Sequence, residues 1–280
     1  MYALHKLLLF HVLICLGQNG NGGKIINGTK APEDSMQYMV SLQNNGGHDC
    51  GGFLIREDFV LTAAHCHIDA HTHVVLGTHN LKRGGKIRYI EKKYKHHSYE
   101  NVGRGNDIML LKLSEKVQLD NSVQTIPIPS SEINIRENES CRVAGWGATI
   151  TGGSVVDDLR LVDVSIISQN VCNETWGGLP RNIICAGGYG TTKGFCQGDS
   201  GGPLVCNGVA VGIVSFNYKK NCTYPLKPNV YTDVSKYLFW IDNILNDKNP
   251  AQSVASVYNH CNVKVMCYLR LLCQCDQNSK

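Results

Sequence analysis

The sequence predicts an all-β protein whose main region closes with one α-helix. Three observations carry this. Short runs that alternate apolar and polar residues recur from Lys24 to Asn246, with the two-residue period of half-buried strands. Glycine is abundant, at 29 residues, and turn signals separate the runs. Helical apolar spacing is confined to one segment near residue 240. The chain has 280 residues, 42% hydrophobic and 18% charged. That composition is globular rather than disordered, and the length suits one large domain or two small ones.

The first element is "MYALHKLLLFHVLICLG". His5 and Lys6 precede an apolar run from Leu7 to Leu16, followed by Gly17. The run is too short to span a bilayer. Residues 1–17 fit a secretory signal peptide better than a buried first element, and the expectation is secretion. No later segment is long and apolar enough for a membrane helix, so no membrane partner is expected.

Strands are expected in "QYMVSLQ", with Tyr38, Val40 and Leu42 on one face, and in "DFVLTAA" and "DIMLLKL". "QTIPIPSS" breaks the alternation at Pro127 and Pro129 and reads as a connector between two β units. "GVAVGIVSF" and "NVYTDV" are the later strands. The helix is "DVSKYLFWIDNILN", where Val234, Tyr237, Leu238, Ile241, Ile244 and Leu245 fall at helical spacing. Thr232 or Asp233 is its expected N-cap. Residues 249–280 form a cysteine-rich tail with no usable period, interrupted by Lys264 and Arg270.

Of 13 cysteines, Cys15 lies in the signal. Eight fall between residues 50 and 222, and four crowd into the tail, at Cys261, Cys267, Cys273 and Cys275. An even number in a secreted chain points to disulfides. Zinc is the rival, but none of the eight shows C-x-x-C spacing. Eight cysteines allow 105 pairings, among which sequence alone does not choose. Sequons at Asn27, Asn138, Asn173 and Asn221 fit a secreted glycoprotein.

The chemistry concentrates in "KGFCQGDSGGPLVC". A serine hydroxyl is a weak nucleophile until a base takes its proton. The attacked carbonyl becomes an oxyanion that needs donors already in place. Gly198 lets the backbone aim its N–H at that oxygen, and the N–H of Ser200 supplies a second donor. A base is available in "LTAAHC", where His65 ends an apolar strand. An acid stands in "NDIMLLKL", where Asp107 opens another. A carboxylate there needs partners, and accepting the imidazole N–H would both satisfy it and orient the base.

These motifs, with "IING", "VAGWG", "ICAGG" and "KPNVYTDV", occur in the order found in the chymotrypsin-like serine proteases, and the chain resembles that family over residues 25–248. The resemblance implies two six-stranded antiparallel β-barrels with the site between them, and a serine endopeptidase. It implies Ser200 as nucleophile, His65 as general base and then acid, and Asp107 as the group that orients His65. Gly198 and Ser200 would form the oxyanion hole, and Ser215 would support Asp107 and line the substrate edge. It also implies the pairings Cys50–Cys66, Cys141–Cys206, Cys172–Cys185 and Cys196–Cys222. "LGTHNLKRGGK" resembles the granzyme and mast-cell protease branch, whose members are often stored in granules. No cofactor or metal is expected.

Three further expectations follow from the resemblance. A cut after Lys24 would remove residues 18–24 as a propeptide and free the amine of Ile25 to pair with Asp199. The primary pocket would be floored by Gly194 and Phe195 and walled by Asn217 and Asn229. With no carboxylate on that floor, uncharged residues should precede the cut. Partners would be protein or peptide substrates, an activating protease and serpin-type inhibitors, with no nucleic acid.

"LKRGGKIRYIEKKYK" carries Lys82, Arg83, Lys86, Arg88, Lys92, Lys93 and Lys95 against Glu91. A solvated face is the ordinary explanation; the sharper one is a site for sulfated glycosaminoglycan. "HCHIDAHTH" with His79 is a dense histidine group, and a metal function is not expected of it. The competing functional class is an inactive homologue that acts as a binding or defence protein. The presence of His65, Asp107 and Ser200 together favours the enzyme.

Overall fold

A computed structural model of the chain describes residues 28–45, 47–222 and 226–246. The expected signal peptide, propeptide and tail lie outside these residues, as do Lys24, Ile25 and Asn27.

The chain opens with β1 (Thr29–Lys30), β2 (Met39–Asn44), β3 (Gly47–Arg56), β4 (Phe59–Thr62), β5 (His73–Leu76), β6 (Lys86–Lys95) and β7 (Met109–Leu113). Six of these close a barrel in the order β2-β3-β4-β7-β6-β5, with every pair antiparallel. β8 (Ser140–Gly145), β9 (Arg160–Ile167), β10 (Ile183–Ala186), β11 (Pro203–Cys206), β12 (Val209–Phe216) and β13 (Asn229–Asp233) follow. They pair as β9-β10-β13-β12-β11-β8, and a β8–β9 pairing closes the ring. β1 is added to the outside of this ring, against β9. Both expected barrels are therefore present.

Closure follows from the residue pattern. β9 alternates inward Val162, Val164 and Ile166 with outward Asp163 and Ser165. These apolar residues meet Val143, Ile184, Leu204, Val214 and Tyr231 inside the second barrel. In the first barrel Val40, Phe53, Val60, Leu61, Val74 and Leu110 are wholly buried. Each such side chain contributes about 1.5–3 kcal/mol by leaving water. A closed barrel also leaves no strand edge to pair with other chains.

The connector sits where the prolines place it. Ile126 N–H donates to Leu54 O of the first barrel at 2.9 Å, and Pro127 O accepts from Ala210 N–H of the second at 2.9 Å.

Among the described residues, two helices are found where one was expected. α1 (Gln169–Trp176) is capped by Ser168, whose hydroxyl accepts from Val171 N–H at 3.4 Å, and it stops at left-handed Gly177. α2 (Leu238–Leu245) begins later than its apolar spacing suggested. Asp233 does act as a cap, but of a 3₁₀ turn over Val234–Lys236, accepting from Ser235 N–H at 3.0 Å. The barrels belong to a compact unit that ends at Lys236, and α2 belongs to a second unit that starts at Tyr237.

Candidate active site

Strand register brings the base and the acid together. Thr62 pairs with Met109 across β4 and β7. In an antiparallel pair, the chain leaving Thr62 runs beside the chain entering Met109. His65 and Asp107 therefore meet. His65 N–H donates to Asp107 Oδ1 at 2.9 Å, and ring Nδ1 donates to Oδ2 at 2.7 Å. The carboxylate accepts only, so Nδ1 carries the proton and Nε2 is left as an acceptor. Asp107 is 1% exposed. Its Oδ2 takes a third bond, from Ser215 Oγ at 2.5 Å, and its backbone O accepts from Thr232 Oγ1 at 2.9 Å. Burial of this charge is thus offset by donors from both barrels.

The same device places the serine. Pro203 pairs with Ile213 across β11 and β12. Upstream of Pro203 the chain runs beside the residues after Ile213, and Gly201 N–H donates to Val214 O at 2.9 Å. Ser200 and Ser215 are thereby brought to the same end of the second barrel. The bond from Gly51 N–H to Ser200 O, at 2.7 Å, ties this loop to the first barrel. Gly201 adopts φ +80, and a Cβ there would come to 2.5 Å of Gly51 O. Only glycine allows the loop that approach.

Gly198 has φ +96, in the left-handed region that glycine adopts without strain. Behind it, Asp199 is fully buried and accepts from Gly147 N–H and Cys196 N–H, both at 2.8 Å. Burial pushes its pKa up to about 7, against the smaller opposing effect of those two donors. Among the described residues no cation lies within ion-pair distance of it. Gly147 is required beside it, since a Cβ would sit 2.5 Å from Asp199 Cγ.

His48 was not singled out from sequence. Its Nε2 donates to Gly198 O at 2.8 Å, and its Nδ1 faces Ser41 Oγ at 2.8 Å. The ring also lies 5.6 Å from that of Trp146. Burial holds its pKa below the ordinary imidazole value, which keeps this ring neutral. Nothing in "GGHDCGG" distinguishes it from a surface histidine.

The pocket residues are placed unevenly. Gly194 is buried. Phe195, expected at the pocket floor, turns its ring into the second barrel's core, edge-on to Tyr231 at 5.3 Å. Asn229 is fully buried at the start of β13, and a Cβ on Gly188 would come to 2.9 Å of its Oδ1. Asn217 is half-buried with Nδ2 3.7 Å from Cys222 Sγ. The cavity of about 340 Å³ beside Ile133–Glu137 contains none of these residues.

Among the described residues four disulfides are formed, Cys50–Cys66, Cys141–Cys206, Cys172–Cys185 and Cys196–Cys222. His65 lies within 4.8 Å of the Cys50 and Cys66 sulfurs. Those sulfurs are bonded to each other and cannot serve as thiolate ligands. The other histidines form no such cluster among the described residues. Asn138 and Asn173 are exposed and Asn221 is half-exposed. Several charges of the basic run are engaged locally. Lys82 pairs with Asp157, Lys86 with Asp120, and Lys93 donates to Ile68 O at 2.6 Å. Lys92 and Lys95 lie over Tyr94 and Tyr99 at 4.5 and 5.6 Å.

Known proteins share this sequence and arrangement. The trypsin family profile matches residues 25–241. Duodenase-1 of Bos taurus is 39% identical over 245 residues, covering 85% of this chain and 96% of its own. Granzyme B of Rattus norvegicus is 38% identical, covering 84% and 97%. A trypsin of Xenopus laevis is 40% identical, covering 86% and 98%. The solved structure of neuropsin, a serine protease expressed in the limbic system of mouse brain, superposes with a TM-score of 0.72 at 31% identity, covering 78% of this chain and 99% of its own. The chain belongs to the trypsin family of serine endopeptidases.

Proposed function

We propose that the protein is a secreted endopeptidase, made as a zymogen, that cuts polypeptides through an acyl-enzyme on Ser200. The observation that carries this is the doubly bonded His65–Asp107 pair, with ring Nδ1 2.7 Å from Asp107 Oδ2. That pair leaves Nε2 free to take the Ser200 proton. Ser200 Oγ then attacks the substrate carbonyl, and the N–H groups of Gly198 and Ser200 hold the resulting oxyanion. His65 returns the proton to the leaving amine as the C–N bond breaks. Water, deprotonated by the same Nε2, attacks the ester, and His65 hands its proton back to Ser200 Oγ as the acid departs.

A cut after Lys24 frees the Ile25 amine, which pairs with Asp199 and fixes the Gly198 turn. The buried carboxylate with its raised pKa supports a need for such a cation. Uncharged residues precede the scissile bond, since Gly194, Asn217 and Asn229 bring no carboxylate. Sulfated glycosaminoglycan binds along β6, where Lys92 and Lys95 stand outside any ion pair among the described residues. Serpin-type inhibitors and granule storage accompany this reading by analogy with the family.

The test is labelling by a fluorophosphonate probe before and after cleavage by a trypsin-like activator. Labelling should appear on cleavage, vanish in Ser200→Ala, and fail to appear in Lys24→Gln. Unlabelled cleaved protein would instead favour a binding protein. A peptide library cut mainly after Arg or Lys would overturn the pocket assignment, and flow-through on heparin resin at low salt would remove the glycosaminoglycan site.

A further inference from the structure

β4 runs Phe59, Val60, Leu61 and then Thr62, and all four residues are buried. The first three are apolar, and the setting suits a fourth. Valine would fill the same space, since it is branched at Cβ in the same way. A buried hydroxyl in its place costs free energy unless it is bonded. Thr62 Oγ1 donates to Gly51 O of β3 at 2.8 Å. Its other neighbour, Cys66 Sγ at 3.8 Å, is a weak acceptor by comparison. The β3–β4 ladder begins at Phe53, so Gly51 lies just outside it. There its C=O accepts from Thr62, and its N–H donates to Ser200 O at 2.7 Å.

Gly51 is thus held by Thr62 through one group and holds the serine through the other. The three parts are in close contact. A Cβ on Gly201, the residue after the serine, would run into both Thr62 Oγ1 and Gly51 O. Thr62 also stands three residues before His65, on one run of chain. The Cys50–Cys66 bridge joins the residue before Gly51 to the residue after His65. The chain that carries the base therefore also carries the hydroxyl that holds the serine's support. Two reacting groups need their separation set closely, and a misplacement of about 1 Å costs about 10²-fold in rate.

We propose that Thr62 is a positioning residue: its hydroxyl fixes Gly51, and through Gly51 the place at which Ser200 meets His65. Thr62 is wholly buried and acts on the reaction through the Gly51 backbone. Without the hydroxyl, Gly51 keeps its place opposite Ser41 on β2. The serine turn then shifts by less than 1 Å, and the loss of rate is partial. The assignment rests on the endopeptidase reading and adds to it a residue that sets the geometry of the attack.

The experiment compares the activated protein with Thr62→Val, Thr62→Ser and Thr62→Ala. A chromogenic peptide amide gives kcat and KM. A fluorophosphonate gives the rate of serine labelling, and its end point counts the competent molecules. Thr62→Val should lower kcat and the labelling rate together, each about tenfold, with KM within about twofold of its starting value. The pH dependence of kcat should keep its shape, because the His65–Asp107 pair is untouched. Thr62→Ser keeps the hydroxyl and should hold both rates within about twofold of the parent, while Thr62→Ala should resemble Thr62→Val. Full rates in Thr62→Val overturn the proposal, as does a loss that Thr62→Ser shares or one that appears in KM alone. A changed pH profile also overturns it, because the hydroxyl would then act on the base. Should Thr62→Val fail to fold, Thr62→Ala against Thr62→Ser decides the matter. If the Val and Ala variants both lose the fold, the hydroxyl serves stability and the proposal falls. Failure of the unsubstituted, cleaved protein to take the label is a different result: the endopeptidase reading falls, and the positioning role with it.

Discussion

The two barrels contribute to the site in different ways. The first barrel holds His65 and Asp107 on chain ends that emerge side by side from one strand pair, two bonds fastening each to the other. The second barrel holds Ser200 on a turn built from left-handed glycines, with a buried carboxylate behind it that meets only backbone donors among the described residues. The first half is braced from the second barrel only through Ser215 and Thr232. The second depends on a charge that the turn does not neutralise. On the proposed zymogen reading, such a site is switched through the turn around the nucleophile while its acid–base pair stays as it is.

Four substitutions would break or sharpen this contrast. Ser200→Ala should give the largest effect, a fall in kcat of about 10⁶-fold, with thermal midpoint unchanged. Residual turnover much above that level would mean the second barrel is not the source of the nucleophile. Gly198→Ala comes next. Its methyl would stand 2.7 Å from Val155 Cγ1 and 2.9 Å from Gly147 Cα on a residue with φ +96. Loss of one oxyanion donor should lower kcat by about 10²–10³-fold with little change in KM, measured by steady-state kinetics.

Asp199→Asn tests the conditional charge through pH. The folded pKa of about 7 stands above the ordinary value of 3.8. As pH rises through that window, the unfolded chain releases its proton first, so stability of the uncut protein falls. The loss should reach about 3 kcal/mol between pH 4 and pH 7, and Asp199→Asn should lack it. Urea unfolding across that range checks the difference, and parallel curves for the two proteins would refute it. Ser215→Ala should be mildest. Asp107 keeps both His65 bonds and loses one donor, so kcat/KM should fall about tenfold, the worth of one hydrogen bond to a charged group. A loss as large as that of Ser200→Ala would mean the His65–Asp107 pair works only with the second barrel's donor in place.

Much of this was legible in the sequence, for a physical reason. The reactive groups sit in short local motifs whose glycines and strand ends have few other uses, and seven such motifs in fixed order specify both barrels. What was hidden depended on direction. Phe195 is adjacent to Gly194 in sequence, but a ring next to a pocket can point into the pocket or into the core, and contact with Tyr231 decided it. His48 required a contact across 150 residues, with Gly198 O, that no local pattern encodes. α1 has a weak apolar stripe, although Ser168 and Gly177 bracket it as caps and could have revealed it. The start of α2 shifted because Asp233 spends its cap on a 3₁₀ turn, which has the same side-chain signature.

The meeting of Gly51 with the serine turn has one more consequence. A Cβ at Gly51 would come to 3.2 Å of both Gly202 N and Gly202 Cα. The gap between the protein's two halves is therefore narrower than a methyl group there. Hybrids that exchange whole barrels with a relative would have to carry glycine on each face of this joint, or the serine turn would be displaced from the first barrel although the serine itself had not been altered.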